Sequence, residues 1–289
     1  MNDLSPGCRR VAVWLEYDGS KYAGWQWQPG RRTVQEVLET ALSRVADHPL
    51  RVVCAGRTDA GVHALSQVAH FDPVAVRPPR AWIMGGNSQL PDDLRITGVL
   101  EVANDFHART SAIARYYRYT ILNRPMASAL DRGRITWFPH PLDEEKMKEA
   151  SRSLIGNHDF SAFRAQGCQS KSPVRDLHFI EISREGDRLH VDICANAFLH
   201  HMVRNIVGSL IEVGQGRRSK EWLGEVLMGR DRGRAGVTAP PDGLYFAGVL
   251  YPNRFELPRH AVFDRLPPTV DRYRPPSIKT GVSLEENSR

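Results

Sequence analysis

The sequence predicts an α+β protein built from two ferredoxin-like (RRM-like) halves with antiparallel sheets. The first hundred or so residues have the pattern strand, helix, strand, strand, helix, strand, which is the order of elements in that fold. A second run of similar elements follows and ends near residue 251. The 289 residues, 41% of them hydrophobic, are enough to bury the core of one large or two ordinary domains.

The first half contains four predicted strands and two predicted helices. Residues Arg10 to Tyr17 are rich in β-branched and aromatic side chains, and Asp18-Gly19 ends this strand. Thr33 and Glu36 have the spacing of a capping box, so a helix begins after Thr33. The other predicted elements are strands at Leu50 to Ala55, Gln67 to Phe71 and Leu94 to Val102, and a short helix at Ala81 to Ser88.

The second half has a similar order of elements. Asp143 is the expected cap of a helix that extends to Ile155, and the turn over residues 184–187 predicts a hairpin. The other predicted elements are strands at Ala114 to Leu122, Leu177 to Ser183, Leu189 to Cys194 and Leu244 to Tyr251, and helices at Phe198 to Val213 and Ser219 to Met228. Alternation along the first of these strands places Tyr117 and Tyr119 on one face and Tyr116 on the other. We therefore divide the chain into a first half, residues 1–112, a second half, residues 113–255, and a proline-rich tail, residues 256–289. We predict no secondary structure for the tail.

The composition excludes several classes of protein. A chain with 41% hydrophobic and 25% charged residues is neither disordered nor collagen-like. No apolar stretch approaches the roughly 18 residues that cross a bilayer, and the first ten residues lack the apolar segment of a signal peptide. The four cysteines are scattered and form no C-x-x-C pair, which predicts a reducing compartment, the cytoplasm.

Positive charge is concentrated in two stretches of the second half. The net charge is only +6, but residues 107–134 contain six arginines and a single acid, with three tyrosines among them. Residues 164–175 contain two arginines and a lysine and no acid. Arginine beside tyrosine offers phosphate pairing and flat surfaces for unstacked bases, so these stretches favour RNA binding. An ordinary solvated strand face is the alternative interpretation.

The loop Cys54-Ala-Gly-Arg-Thr-Asp-Ala-Gly-Val-His63 joins two predicted strands and carries a single carboxylate, Asp59. Its glycines permit sharp turns and the close approach of a ligand, and its small residues leave room beside Asp59 for something flat. Asp-Ala-Gly is also ordinary turn chemistry, in which the aspartate bonds its own backbone. The loop is therefore a candidate site whose assignment depends on a partner for Asp59.

Arg204 supplies that candidate partner. It is the only formal charge in residues 199–211, a predicted helix that is apolar nearly all round and therefore buried. A buried guanidinium requires a carboxylate or a bound anion, because desolvating it unpaired costs several kcal/mol. Asp59 is the best candidate, and such a pair would keep Asp59 ionised and oriented. Pairing with Glu212, or extension of the side chain to water, are the alternatives.

The chain resembles the tRNA pseudouridine synthase I (TruA) family. The resemblance rests first on Ala55-Gly-Arg-Thr-Asp-Ala-Gly-Val-His-Ala64, which is similar to the family's catalytic motif. Six further blocks follow in the family's order, between about residues 10 and 255. They are Asp105-Phe-His-Ala-Arg-Thr-Ser-Ala112, Ala114-Arg-Tyr-Tyr-Arg-Tyr119, Asp159-Phe-Ser-Ala-Phe163, Cys168-Gln-Ser-Lys-Ser-Pro-Val-Arg175, Asn196-Ala-Phe-Leu-His-His-Met-Val-Arg-Asn-Ile-Val-Gly208 and Gly243-Leu-Tyr245.

The resemblance implies a role for each motif. Asp59 would be the catalytic aspartate, Arg57 would help to move the target uridine out of its stack, and Arg204 would pair with Asp59. Tyr117 would stack on the uracil and Leu244 would line its pocket. The residues implied to contact RNA are Arg31, Arg77, Phe106, His107, Ala108, Arg109, Thr110, Gln166, Cys168, Gln169 and Ser170. Thr110 stands where phenylalanine is common in the family, which puts that one contact in doubt.

The resemblance also implies a substrate and an assembly. The two halves would flank a central catalytic cleft, and a homodimer would hold the anticodon arm of tRNA, with uridines at positions 38–40 as the substrate. Turning uridine into pseudouridine requires no redox change, so no cofactor is expected, and the sequence has no G-x-G-x-x-G at a strand–helix junction and no P-loop. A metal site is not expected either, because His200 and His201 would point apart on a helix. The rival hypotheses are a non-catalytic RNA-binding module and a synthase with other target positions.

Overall fold

The computed structural model describes residues 9–266. Its first half confirms the predicted order of elements, with the second strand shortened to two residues. The elements are β1 (Arg10–Tyr17), α1 (Val34–Ala46), β2 (Val53–Cys54), β3 (His63–Phe71), α2 (Pro79–Gln89) and β4 (Leu94–Val102). Thr33 caps α1 as the sequence predicts, because its side chain accepts a hydrogen bond from the Glu36 N–H.

The second half adds two short strands that the sequence did not predict, β6 and β7. Its elements are β5 (Ala114–Asn123), β6 (Thr136–Phe138), α3 (Glu144–Ser151), β7 (Gly156–Asp159), β8 (Val174–Glu185), β9 (Arg188–Ala195), α4 (Met202–Gly214), α5 (Trp222–Gly229) and β10 (Leu244–Leu250). Helix α4 begins four residues later than predicted, and this difference shapes the site described below.

The ten strands within residues 9–266 all belong to one sheet, which corrects the expectation of two separate antiparallel sheets. The strand order is β4-β1-β3-β10-β5-β9-β8-β7, with β2 beside β3 and β6 beside β5. Strands β10 and β3 join the halves and run parallel, with Tyr245 opposite His63 and Phe246 opposite Ala64. The pairing covers two residues of each strand, but it continues one sheet across both halves and places the loop before β3 beside β5 and β10.

One large hydrophobic core extends across both halves. It includes Leu38 and Leu42 of α1 together with Ile206 and Leu210 of α4. Strand β5 alternates as predicted, since Tyr117 and Tyr119 belong to this core while Tyr116 belongs to a smaller cluster on the other face.

The smaller cluster changes the interpretation of the predicted tail. Val262, Phe263 and Leu266 are buried in it against the face of the sheet that carries Tyr116. Residues 256–266 are therefore part of the folded protein, and the rest of the predicted tail, residues 267–289, lies outside the described residues. Within the described part of the chain, no helix is long and apolar enough to cross a membrane.

Candidate active site

Asp59 lies in the loop over residues 55–62, which connects β2 to β3. The Trp25 N–H donates a hydrogen bond to the Thr58 carbonyl oxygen at 2.9 Å and ties this loop to the segment that precedes α1. Gly24 has φ 96°, and a Cβ built on it would lie 2.8 Å from the same carbonyl oxygen. Glycine is required there because only its backbone allows the two segments to approach so closely.

Buried hydrogen bonds from β1 and β3 hold this loop in place. The Tyr17 hydroxyl and the Thr58 hydroxyl are 2.8 Å apart, and the Gln67 side-chain amide donates to the Gly56 carbonyl oxygen at 2.7 Å. Gln67 is fully buried, and burial raises the pKa of Tyr17 far above its ordinary value. Buried hydrogen bonds resist rearrangement, so this network holds the backbone on either side of Asp59 in place.

Arg204 pairs with Asp59, as the sequence predicts. Its Nη1 lies 3.7 Å from Asp59 Oδ2, and the two side chains are 14% and 27% exposed. The Arg204 Nε donates to the Ala239 carbonyl oxygen at 2.7 Å, which fixes the direction of the guanidinium. The alternative partner, Glu212, instead lies 3.6 Å from Arg217. The carboxylate on the loop and the cation on α4 therefore meet across the two halves.

His200 and His201 also contact Asp59, so the expectation that they point apart on a helix is wrong. Their Nε2 atoms lie 3.4 Å from Asp59 Oδ1 and Oδ2, and the two ring centroids are 4.0 Å apart. The two residues precede α4, and His201 has a left-handed backbone with φ 59°. That conformation turns the chain between the two residues, which brings neighbouring side chains to the same side. Burial lowers the pKa of His201 despite the nearby Asp59 charge, so this ring is neutral at pH 7.

Tyr117 and Leu244 line the same open space as the Asp59 carboxylate. Phe198 and Phe246 meet the Tyr117 ring edge-on, with centroid separations of 5.0 and 5.1 Å. Burial raises the pKa of Tyr117 strongly, and the negative charge of Asp59 raises it further. Tyr117 therefore remains neutral, with a flat ring held in place by its aromatic neighbours.

These residues line one open cleft of about 770 Å³. A cleft of this size can enclose a nucleotide-sized group. Among the described residues that line it, Asp59 is the single carboxylate, and there are five arginines: Arg57, Arg109, Arg115, Arg175 and Arg204. The cleft thus attracts anions over most of its surface and carries its negative charge at one point.

The predicted RNA-contacting segment after residue 165 borders the cleft through Cys168, Gln169 and Ser170, whereas Gln166 is exposed outside it. Arg164 shapes this segment by donating to the carbonyl oxygens of Cys168 and Ser170 at 2.6 and 2.8 Å. Burial acts to raise the pKa of the Cys168 thiol, but hydrogen bonds from backbone N–H groups and the charge of Arg164 outweigh it and lower the pKa.

The other predicted segment, residues 106–110, is divided between core and surface. Phe106 and Ala108 are fully buried, so their side chains pack inside the protein instead of facing a ligand. The His107 ring accepts hydrogen bonds from the N–H groups of Arg109 and Thr110, each at 3.2 Å. Of this segment, only Arg109 lines the cleft, and Thr110 is exposed beside it in the chain.

Arg31 and Arg77 are exposed and lie outside the cleft. Arg77 donates to the Val45 carbonyl oxygen of α1 at 3.3 Å, which places it beside α1 and α2. The structure does not bring either residue next to Asp59.

Arg115 is a site residue that sequence reasoning missed. It donates to the carbonyl oxygens of Ala55, Arg109, Ala112 and Asn196, which links the start of the Asp59 loop to residues 109–112 and to Asn196. Burial lowers its pKa, and it forms no ion pair with any carboxylate in residues 9–266. Alternation along β5 places Arg115 on the face of Tyr117 and Arg118 on the opposite face, where Arg118 pairs with Asp192. This alternation was the signal that could have identified Arg115.

A family profile and several relatives match most of this chain. A profile described as tRNA pseudouridine synthase matches residues 14–110 and 150–252. The tRNA pseudouridine synthase A of Methylococcus capsulatus is 60% identical over 266 residues, which cover 92% of this chain and 98% of that protein. The same-named protein of Hydrogenovibrio crunogenus is 54% identical over 89% of this chain and 97% of its own length.

A third relative, the tRNA pseudouridine synthase A of Nitrosococcus oceani, is 55% identical over 86% of this chain and 96% of its own length. Among solved structures, a chain of a Cbf5-Nop10-Gar1 complex matches with 10% identity and a TM-score of 0.29, covering 69% of this chain and 54% of that one. That likeness is too weak to carry an argument, whereas the profile and the relatives cover most of the chain. The chain belongs to the tRNA pseudouridine synthase family.

Proposed function

We propose that this protein is an isomerase that converts uridine to pseudouridine at positions 38–40 in the anticodon arm of tRNA. The observation that carries the proposal is the Asp59 carboxylate, 3.7 Å from the Arg204 guanidinium in the cleft that Tyr117 also lines. The family and the names of the relatives support the substrate class. The target positions come from the resemblance of the motifs.

The reaction breaks the bond between C1′ and N1, turns the uracil and forms a bond between C1′ and C5. The C5 proton is lost and N1 gains a proton, so the atoms balance without a co-substrate. Asp59 has two chemical routes: it adds to the sugar or the base as a nucleophile, or it removes a sugar proton as a base. In both routes Arg204 holds the carboxylate ionised and oriented, because its charge is permanent.

A uridine stacked in RNA reaches Asp59 only after it leaves the stack. Arg57 is exposed two residues before Asp59, where its side chain can fill the vacated space. Tyr117 then receives the uracil on its ring, and Leu244 packs at the side of the pocket. The arginines of the cleft bind the phosphates on either side of the target.

Replacing Asp59 by asparagine separates chemistry from binding. Asp59→Asn keeps the size of the side chain but removes the nucleophile or base, so pseudouridine formation in a tRNA transcript should fall by at least about 10³-fold. Binding of tRNA should remain within a few fold, since the cleft loses no positive charge. Asp92→Asn is a matched control, because Asp92 is fully exposed and pairs with Arg95 outside the cleft.

The rival hypotheses predict different results. A non-catalytic RNA-binding module would show no pseudouridine formation even with the unaltered chain, and turnover by Asp59→Asn equal to the unaltered protein would refute the catalytic role of Asp59. A synthase with other targets would be revealed by mapping pseudouridines in tRNA from cells with and without the gene.

A homodimer, a cytoplasmic location and two ferredoxin-like halves complete the proposal. The strand order supports the halves, since β4-β1-β3 with β2 beside β3, and β10-β5-β9-β8, both have the order fourth, first, third, second. Sedimentation velocity tests the dimer: a species of twice the 32.6 kDa chain mass is expected.

A further inference from the structure

Asp59, His200 and His201 form a cluster of three groups that can each donate a lone pair to a metal ion. Each offers one ligand atom, and the three atoms lie within 4.8 Å of one another. The two imidazole nitrogens are each 3.4 Å from a different oxygen of the carboxylate. No spacing pattern in the sequence indicates this cluster, because the left-handed backbone at His201 creates it.

The separations and the types of donor fit zinc. Zinc binds histidine nitrogen and carboxylate oxygen at about 2.0–2.2 Å with tetrahedral angles, so neighbouring ligand atoms are about 3.3–3.5 Å apart. Each histidine nitrogen lies 3.4 Å from one carboxylate oxygen, His200 from Oδ1 and His201 from Oδ2, and one ligand atom from each residue lies within 4.8 Å of the others. Binding of an ion through a single carboxylate oxygen therefore requires a small rotation of these side chains. Two histidines and one carboxylate are also a common zinc ligand set in which the fourth position stays open. Asp59, His200 and His201 all line the cleft, so a bound ion would be accessible from it.

We propose that Asp59, His200 and His201 bind one zinc ion, and that the bound ion inhibits the enzyme. Binding rests on the geometry alone, whereas inhibition rests on the proposed function of Asp59. A coordinated carboxylate has its lone pair directed at the metal, so it cannot act as nucleophile or base, and the ion obstructs the place of the target uridine. Zinc is thus a competitor of the substrate at this site.

Arg204 limits the affinity of the site. Its Nη1 lies 3.7 Å from the Asp59 oxygen that also faces His201, and a permanent positive charge at that distance repels a dication. Removing this charge should therefore strengthen zinc binding even though it weakens catalysis. If Arg204 had only a structural role, one substitution would not strengthen zinc binding and slow turnover at the same time.

Titration calorimetry of the full chain with zinc, in the absence of tRNA, tests binding. One ion should bind per chain, and cobalt should show the intense visible absorption of a tetrahedral site, whereas magnesium, which prefers oxygen ligands, should not bind. His200→Gln and His201→Gln should each weaken zinc binding at least about tenfold, because even changes to residues behind a ligand cost about 10–100-fold. His140→Gln is the control, since His140 is exposed and is not part of the cluster. Zinc binding that both cluster variants leave unchanged would overturn the site.

Assays of pseudouridine formation with zinc or with a chelator test inhibition. Inhibition should be reversible and overcome by more tRNA. When the rate of each protein is expressed relative to its own zinc-free rate, the zinc concentration that halves the rate should be at least about tenfold higher for His200→Gln than for the unaltered chain. Zinc that binds the cluster without slowing turnover would overturn the inhibitory role. An active Asp59→Asn variant would refute the proposed function instead, while the calorimetric result would still decide the zinc site.

Discussion

Asp59 owes its orientation to residues from separate parts of the chain. Trp25 and Thr58 fix its loop, His200 and His201 approach its two oxygens, and Arg204 adds the permanent positive charge. His201 is neutral at pH 7, since burial lowers its pKa. Arg204 is the contact of the Asp59 carboxylate whose positive charge is permanent, although its contact distance is the longest of the three.

Substitution of Arg204 tests that conclusion. Arg204→Met should lower kcat by about 10²-fold or more with little change in KM, because a preorganised charge near the reacting group is lost. Arg204→Lys should recover part of the rate, since it restores the charge but not the hydrogen bond to Ala239. Steady-state kinetics measure both, with the exposed Arg217→Met as control. Unchanged kcat in Arg204→Met would contradict the role of the pair.

His70 makes the folded protein sensitive to acid. It is buried, and burial together with the charge of Arg10 lowers its pKa to about 4. The unfolded chain takes up this proton near pH 6.5 and the folded chain only near pH 4, so stability is full above pH 6.5 and declines as the pH falls through that window. Protonation also removes the ring nitrogen that accepts the Ala108 N–H.

The expected contribution of His70 to the free energy of unfolding is about 2–3 kcal/mol, lost between pH 7 and pH 4.5. His70→Asn retains an acceptor for Ala108 and does not titrate. Urea unfolding at the two pH values should show a drop smaller by this amount in the variant. An equal drop in both proteins would show that His70 is not responsible.

Helix α4 positions the site through its first turn and through its close contact with residues 236–239. The Ala239 N–H donates to the Arg204 carbonyl oxygen at 3.1 Å, and the Gly236 N–H donates to the Ser209 hydroxyl at 2.9 Å. Gly208 lies at the centre of this contact, where an added Cβ would overlap the Val237 carbonyl oxygen. The close approach is possible only because residue 208 lacks a side chain.

Two helix glycines provide a matched test of the contact between α4 and residues 236–239. Gly208→Ala should destabilise the protein by about 2–3 kcal/mol, because a backbone oxygen has to move, and should also reduce turnover by displacing Ala239 from Arg204. Gly224→Ala in α5 is the control, since its Cβ would make an ordinary contact of 3.4 Å with Ser153. Alanine there should be neutral or stabilising by up to about 1 kcal/mol. Thermal and urea unfolding of both variants measure the difference. Equal changes in the free energy of unfolding would argue against the importance of the contact between α4 and residues 236–239.

The continuous sheet makes the cleft a property of the whole molecule. The loop before β3 supplies Asp59, β5 supplies Tyr117 and the segment before β8 supplies Cys168 to Ser170, and the β3–β10 pairing sets these pieces side by side. Five arginines line the resulting surface. Binding of RNA to such a surface releases counterions and therefore weakens as salt is added.

Salt dependence of tRNA binding tests this view of the cleft. With about four phosphate contacts, affinity should fall by about 10²-fold between 50 and 200 mM salt. Arg109→Gln should lower the slope of log affinity against log salt by about 0.7–0.9, the value for one phosphate. Arg77→Gln, beside α1 and α2, measures whether the footprint of the tRNA extends beyond the cleft: a matching drop in slope would show that it does. An unchanged slope for Arg109→Gln would contradict the assignment of Arg109.

The sequence by itself determined the α+β class and the order of the main elements, and it made Asp59 the best candidate partner for Arg204. These follow from local rules: period-two and helical patterns, a capping box at Thr33, and the free-energy cost of a guanidinium on an apolar helix without a carboxylate. The motifs also fixed the family, because their residues and their order are a property of the chain alone.

Only the tertiary structure decided the rest. The single sheet depends on the non-local pairing of β3 with β10, for which a sequence contains no register signal. Phe106 and Ala108 are buried because neighbouring segments cover them, although their own segment is polar. The approach of His200 and His201 to Asp59 depends on one positive φ at His201, a conformation that is uncommon for residues other than glycine. Contacts between distant segments set these features, and such contacts exist only once the chain has folded.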